Sequence, residues 1–301
     1  MKIALLGLGD IAQKAYLPLL ASKPGITPVL CTRNETVLRQ LMQQYRIREG
    51  YTELSALIAA QPDAVMIHSS TSSHFSIASE LLNAGIPLFI DKPLSYQLSE
   101  CEQLISAAER RNILLFVGFN RRYVPLYQQP LANVPLQLHY QKNRYQQPAD
   151  LRTFVYDDFI HLLDFAHYAT ALHNKGNFTP VVHGQFDKDQ LVCVQVNWQL
   201  GSTSVSVSMN RLAGHSFERL EYFSANQHWQ VDNLVQGIHS AANQQQHLVV
   251  NDWQSTIHKR GFVGMLDEFI QQVEKGGTNK AQNKTLLSSH QLCEFVVQQL
   301  T

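Results

Sequence analysis

Four short stretches hold residues whose types and spacing could do chemistry. The first is Gly7-Leu8-Gly9-Asp10-Ile11-Ala12, a G-x-G-x-x-A pattern. Gly7 allows a tight turn, Gly9 lets backbone approach a pyrophosphate, and Ala12 keeps the following helix close to the preceding strand, with the helix N-terminus facing the negative charge. On its own the pattern also fits a ligand-free strand-to-helix turn. The second is Cys31-Thr32-Arg33-Asn34. An NAD site places Asp or Glu there for the ribose hydroxyls, whereas a hydroxyl and a guanidinium suit a 2′-phosphate, which Arg33 can pair with while stacking on adenine. This favours NADP(H), with NAD(H) second; the alternative is that Arg33 is a solvated loop residue. The third, Asp91-Lys92-Pro93, offers the donors of Lys92 to a carbonyl or alcohol oxygen, unless Lys92 is simply solvated beside a turn-forming proline. The fourth is Asp157-Asp158-Phe159-Ile160-His161-Leu162-Leu163-Asp164. Its spacing puts Asp157, His161 and Asp164 near one face at a helix start, where His161 suits proton transfer near neutral pH. The same spacing fits an Asp157 or Asp158 helix cap with a His161–Asp164 pair on the surface.

These stretches need strands and helices to hold them. Short apolar runs at 3–6, 28–31, 64–68, 87–90 and 114–117 alternate with helical patterns at 11–20, 35–44, 53–60, 75–84 and 100–110. Apolar runs without alternation belong to a sheet covered on both faces, and strand–helix alternation implies parallel, right-handed crossovers. The G-x-G-x-x-A stretch follows the first strand and opens the first helix, the context a dinucleotide site requires. Further on, one helical pattern at 158–172 precedes strand-like segments at 181–186, 191–199, 203–209, 220–223 and 229–231, then helices at 262–274 and 286–300. In 203–209 Val205, Val207 and Met209 alternate with serines, so one face is buried. The polar stretch 243–246 reads as a loop. The expectation is an α/β chain: an N-terminal Rossmann domain (a doubly wound parallel sheet) over 1–120, and a C-terminal α+β domain over 121–301 with an open, mostly antiparallel sheet.

The 301 residues suffice for two domains, and 45% hydrophobic with 16% charged residues is a globular profile. Twenty-four basic residues balance 24 acidic ones, and nothing in the sequence suggests the clustered positive charge that a nucleic-acid or membrane-surface partner needs. Cys31, Cys101, Cys193 and Cys293 are scattered, which argues against a disulfide framework or structural metal site. Asp10 interrupts the first apolar run too early for a signal peptide, and no run approaches transmembrane length, so the expected location is cytoplasmic.

Three further motifs complete a pattern. His68-Ser69-Ser70-Thr71-Ser72-Ser73-His74, Asp91-Lys92-Pro93-Leu94-Ser95 and Gly118-Phe119-Asn120-Arg121-Arg122-Tyr123 each follow a strand position. With the fingerprint they resemble the Gfo/Idh/MocA family of oxidoreductases, most strongly over residues 1–130. One branch of the family also shares Ile11-Ala12-Gln13-Lys14, the Asp-Lys-Pro variant and Arg260-Gly261-Phe262-Val263-Gly264. The resemblance implies hydride transfer between a nicotinamide and a hydroxyl or carbonyl carbon of a sugar- or polyol-like small molecule. Lys92 matches the lysine of the family's Glu-Lys-Pro motif, which touches nicotinamide ribose and substrate; Asp91 stands where Glu is usual. Asp157, His161 and Asp164 match Asp-x-Gly-x-His-x-x-Asp, with Phe159 replacing the glycine and narrowing or closing the pocket. The implied catalytic residues are Lys92, Asp157 and His161. The implied cofactor residues are Gly7, Gly9, Asp10, Ile11, Ala12, Thr32, Arg33, Ser69, Thr71, His74, Asp91, Lys92 and Pro93, although Ser69, Thr71 and His74 also fit loop capping. Arg122, Tyr123 and Asp164 are substrate candidates, yet Arg121, Arg122 and Tyr123 fit equally well as ties between the domains. An arginine-lined cleft would favour an anionic sugar or polyol derivative. No metal is expected at Asp157, His161 and Asp164, because the family chemistry needs none. A homodimer through the exposed face of the second sheet follows by the same resemblance. The alternative function is a dinucleotide-binding regulator or sensor that acts through a protein partner; a third is a glycosidase using the dinucleotide transiently.

Overall fold

The apolar runs of the first part form a parallel sheet in a computed structural model that describes residues 1–171 and 176–301. Its strands are β1 (Lys2–Leu6), β2 (Thr27–Cys31), β3 (Gly50–Tyr51), β4 (Ala64–Ile67), β5 (Leu88–Ile90) and β6 (Leu115–Val117). Their order is β3-β2-β1-β4-β5-β6, with every pairing parallel. The order reverses at β1 and β4, which is the crevice where doubly wound sheets bind ligands. The two-residue edge strand β3 is too short to show in a hydrophobic pattern. Between the strands lie α1 (Leu17–Ser22), α2 (Glu35–Tyr45), α3 (Leu54–Ala59), α4 (His74–Asn83) and α5 (Leu98–Arg111). Local chemistry sets their ends. Asn34 Oδ1 accepts the Val37 amide at 3.1 Å, an N-cap, and Asn112 at φ 54° closes α5 in the left-handed region that asparagine tolerates.

The helix after β1 is not regular. Residues Ala12–Tyr16 form a wide, π-type turn before α1. Pro18 explains it: proline supplies no N–H and its ring crowds the carbonyl four residues back, so the helix relaxes one turn earlier. Such turns are rare and concentrate at functional sites.

The chain divides into two units, one of Met1–Gly118 with Met265–Leu287, the other of Phe119–Gly264 with Ser288–Thr301. In the first unit Phe269 packs edge-on against Phe89 and Phe116, with ring centroids 5.4 and 5.6 Å apart, and Asp267 pairs with Lys23.

The second unit opens with α6 (Pro125–Leu131) and β7 (Gln137–Asn143). Then come α7 (Leu151–Thr153), a second wide turn at Phe154–Phe159, and α8 (Ile160–Ala171). The helical stretch thus begins at Leu151, earlier than the sequence pattern indicated, because the wide turn breaks the periodicity of the apolar residues; Leu172 lies outside the described residues. Asp150 is its cap, accepting the Thr153 amide at 3.0 Å, which replaces the capping role considered for Asp157 or Asp158. β8 (Val181–Asp187), β9 (Gln190–Leu200), β10 (Thr203–Asn210), β11 (Phe217–Ser224), β12 (Gln227–Asp232), β13 (Gln236–Ala241) and β14 (Gln244–Val249) complete the sheet. Its order is β14-β13-β12-β11-β7-β10-β9-β8, antiparallel throughout except for the parallel β7–β10 pair. Of the stretch 243–246 only Asn243 lies in a turn: Ala242 and Asn243, at φ 49° and 59°, make a tight hairpin turn, and Gln244–Val249 pairs with β13. Its polar residues hid a strand held by backbone bonds on an exposed edge. Helices α9 (Thr256–Lys259), α10 (Phe262–Lys275) and α11 (Lys280–Leu300) close the chain, α11 starting earlier than its apolar spacing suggested.

Candidate active site

The fingerprint stands at the crevice of the first sheet. Gly7 has φ 88°, and a Cβ on it would lie 2.5 Å from the Ser69 amide nitrogen and 2.7 Å from the His68 carbonyl carbon, so the ends of β1 and β4 meet backbone to backbone. A Cβ on Gly9 would meet nothing within 4 Å. Gly9 thus exposes bare backbone to open space at a helix start, which fits a group as bulky and anionic as a pyrophosphate. Ala12 is fully buried, Ile11 is 39% exposed, and Asp10 pairs with Lys14 at 2.7 Å on the surface. The two glycines should separate fold from ligand. Gly7→Ala is expected to destabilise the protein by about 2–4 kcal/mol through overpacking and a strained φ, read by denaturant unfolding. Gly9→Ala should unfold at the wild-type denaturant concentration yet lose dinucleotide affinity; wild-type affinity in Gly9→Ala would remove Gly9 from the binding surface.

At the end of β2 the Thr32 amide donates to the Tyr51 carbonyl at 3.1 Å, and the Thr32 hydroxyl accepts the Asn34 amide at 3.4 Å. Arg33 is exposed and makes no hydrogen bond or ion pair among the described residues. One carboxylate here was not visible in the linear sequence. Glu53, at the head of α3, comes close enough to Cys31 that burial and its charge push the thiol up to about 11.

The loops after β4 and β5 are tied together. His74 is buried, with Nδ1 3.0 Å from the Pro93 carbonyl oxygen and Nε2 3.1 Å from that of Ser69. Burial pushes its pKa down, only partly offset by those carbonyls. His74 therefore fastens the Ser69 and Pro93 loops to each other. Ser69 Oγ accepts from Ser73 at 2.8 Å, and Thr71 is half-buried in a short turn. Asp91 Oδ1 accepts the Lys92 amide at 2.9 Å, and Oδ2 lies 3.9 Å from His68 Nδ1. Burial alone would raise the Asp91 carboxyl, but His68 and Lys92 hold it below its usual range. The ring of Tyr16 lies 4.1 Å from that of His68. Tyr16 was not singled out from the sequence, and His68 entered only as the first residue of the motif after β4, with no role assigned to it.

In the second unit Asp157 is half-buried in the wide turn and His161 is buried in the first turn of α8. Asp164 accepts Arg122 Nε at 3.0 Å, a second bond from Arg122 Nη2, and Ser289 Oγ at 2.7 Å. Arg121 forks onto Glu218 at 3.1 and 2.8 Å. Both guanidinium groups are buried in ion pairs inside this unit, which corrects the picture of an arginine-lined cleft. Tyr123 is half-buried in the same turn, against which Gly261 packs at φ 82°; a Cβ on Gly261 would strike the Asn120 carbonyl and lie 2.8 Å from Tyr123 carbonyl carbon. The Arg260-Gly261 stretch is thus a close backbone approach, secured by Asn120 Nδ2 donating to the Arg260 carbonyl at 2.8 Å. Phe159 is fully buried, edge-on to Phe154. Asp158 accepts from Lys142, from Arg144 at 2.8 and 3.1 Å, and from Arg211 at 3.2 Å. Among the described residues no three metal-ligating side chains group together, and no helix is long and apolar enough to cross a membrane.

Residues 1–119 match the oxidoreductase family with an NAD-binding Rossmann fold, and residues 122–242 match the YceM-like C-terminal domain. A Salmonella typhimurium protein described as "Putative oxidoreductase YceM" is 31% identical over 283 residues, 91% of this chain and 90% of that protein. Myo-inositol 2-dehydrogenase of Thermotoga maritima is 29% identical over 124 residues, 41% of this chain and 37% of that enzyme. A crystal structure of a Gfo/Idh/MocA family oxidoreductase from Vibrio cholerae superposes with a TM-score of 0.94 at 38% identity, over 100% of this chain and 98% of that one. With the glycine fingerprint at the sheet crevice and a relative spanning nearly the whole length, the chain belongs to the Gfo/Idh/MocA family of oxidoreductases.

Proposed function

We propose that the protein is an NADP(H)-preferring dehydrogenase or reductase that acts on a hydroxyl-bearing carbon of a sugar- or polyol-like small molecule. The observation that carries the cofactor reading is Arg33: exposed, unpaired among the described residues, and standing at the end of β2 where an NAD site has a carboxylate. The polyol reading draws on the similarity to a myo-inositol dehydrogenase over the first part of the chain. When bound, the nicotinamide supplies or accepts the hydride. The protein's own residues do the rest. Gly7 and Gly9 admit the pyrophosphate to backbone, and Arg33 pairs with the 2′-phosphate. Lys92 donates to the nicotinamide ribose and to the substrate oxygen, stabilising negative charge on that oxygen as the carbon–oxygen bond order changes. His161 takes or returns the proton of that oxygen, with Asp157 orienting it. Asp164 and Arg122, locked onto each other, shape the second unit without touching substrate.

The test is a fluorescence titration of cofactor-stripped protein with NADPH and with NADH, repeated on Arg33→Ala. NADPH should bind more tightly than NADH, and the variant should lose about 10- to 100-fold in NADPH affinity, the worth of a charge-assisted pair, with NADH little changed. Equal affinities in the wild type would point to Glu53 as a ribose partner and cancel the NADP(H) preference. Binding of neither nucleotide would overturn the reading and favour a protein that acts through a partner.

A further inference from the structure

Behind the Lys92 loop lies a buried cluster that hydride transfer, as read above, does not use. His68 follows β4 directly, with its side chain completely buried. The Tyr16 ring covers it at 4.1 Å and Phe89 flanks it at 5.8 Å. Neither ring nitrogen of His68 has a hydrogen-bond partner among the described residues. A buried imidazole left so is costly, and such groups call for a reason. The acceptor facing it is Asp91 Oδ2, 3.9 Å from Nδ1, too long for a hydrogen bond but closed by a small rotation of the carboxylate. The other oxygen of that carboxylate already holds the Lys92 backbone amide at 2.9 Å. Contacts of this kind are often long in the free enzyme and tighten once the ligand is in place.

We propose that His68 is a positioning residue for Lys92: Nδ1–H donates to Asp91 Oδ2 in the dinucleotide complex, fixing the carboxylate that holds the Lys92 backbone and so aiming the ammonium. The geometry also accounts for aspartate at position 91. A glutamate would carry its carboxylate ~1.5 Å farther, the length of one carbon–carbon bond, toward space that the imidazole fills. His68 and Asp91 are thus one unit, an imidazole plus a short carboxylate. This inference rests on the proposed dinucleotide role of Lys92.

A mutant cycle tests it, with NADPH affinity and melting temperature measured for wild type, His68→Ala, His68→Asn, Asp91→Glu and the double variant His68→Ala with Asp91→Glu. His68→Ala and Asp91→Glu should each weaken NADPH binding about tenfold, while the double variant, in which the one shared contact is already lost, should be no more than about threefold weaker than either single variant. His68→Asn, which keeps a donor close to Nδ1, should stay within about threefold, a rescue that a purely space-filling role would not produce. If wild type binds NADPH but the two losses add to about a hundredfold in the double variant, or His68→Asn is as weak as His68→Ala, the positioning role is overturned and the dinucleotide reading stands. If wild type binds neither NADPH nor NADH, both fall together.

Discussion

Lys92→Met is expected to lower turnover by about three orders of magnitude and NADPH affinity by about tenfold. The thioether keeps most of the length and packing of the lysine stem and removes only the charge. What is lost is a donor to an oxygen whose negative charge grows during hydride transfer, and removing one such group typically costs about 10²–10³ in rate, with more where proton transfer depends on it. Because that charge develops only in the reaction, most of the loss should fall on kcat, and only the smaller part, from the ribose contact, on binding. The measurement is NADPH consumption or formation over a panel of sugars and polyols, with fluorescence titration of the same variant. Full turnover in Lys92→Met on a substrate that wild type accepts would take Lys92 out of the reaction.

The largest effect on stability is expected at Asp158. This buried carboxylate is shared by Lys142, Arg144 and Arg211, and Glu218 on β11 balances Arg121. Asp158→Asn takes the counter-charge away from Lys142, Arg144 and Arg211, and removing one side of a buried ion cluster costs about 3–5 kcal/mol. The pH dependence follows from the same contacts. Burial opposes the Asp158 charge, but Lys142 and Arg144 overcome it and hold the carboxyl far below its ordinary range. Its contribution is therefore complete above the unfolded pKa, about 4, and is lost as the pH falls further toward the folded value. Lys142 has the opposite sign. Burial, helped by Arg121, brings it down from 10.5 to about 7 despite Asp158. Between those two values the unfolded chain binds the extra proton, so stability should rise with pH across that window. Chemical denaturation at pH 7 and pH 9 checks both: wild type should gain stability at the higher pH, Lys142→Met should flatten that gain, and Asp158→Asn should be much less stable at either. A stable Asp158→Asn would mean that the cluster relaxes into water.

The Rossmann half was legible in the sequence because its strands, buried on both faces, read as unbroken apolar runs, and because the fingerprint glycines sit where strand gives way to helix. The second half was harder for identifiable reasons. β7, the strand joining the two arms of the second sheet, has Leu138, Tyr140 and Lys142 on its buried face. A lysine there breaks the alternation, and only Asp158, sixteen residues on, makes its burial intelligible. The start of the helix at Leu151 was masked because a wide turn spaces apolar residues differently from an α-helix. Among the site residues, the stretch containing Lys92 was found by motif. Tyr16 lay outside every motif and His68 opened one without a role in it, since a buried tyrosine and a histidine at a strand end are ordinary core residues until their neighbours are known. Arg121 and Arg122 had the types of a ligand clamp and the partners of a structural joint, a difference that only the positions of Glu218 and Asp164 reveal.

The packing of Phe269 onto Phe89 and Phe116 bears on when this protein can fold. A ribosome adds about 5–20 residues per second, so the 147 residues from Gly118 to Met265 (265 − 118) take about 7–30 s to emerge. Throughout that interval the nascent dinucleotide unit has its six strands but lacks the aromatic wedge that covers β5 and β6. The first-made part of the chain is finished by nearly the last, and the exposed Phe89–Phe116 stack is the surface that a chaperone would meet in the meantime.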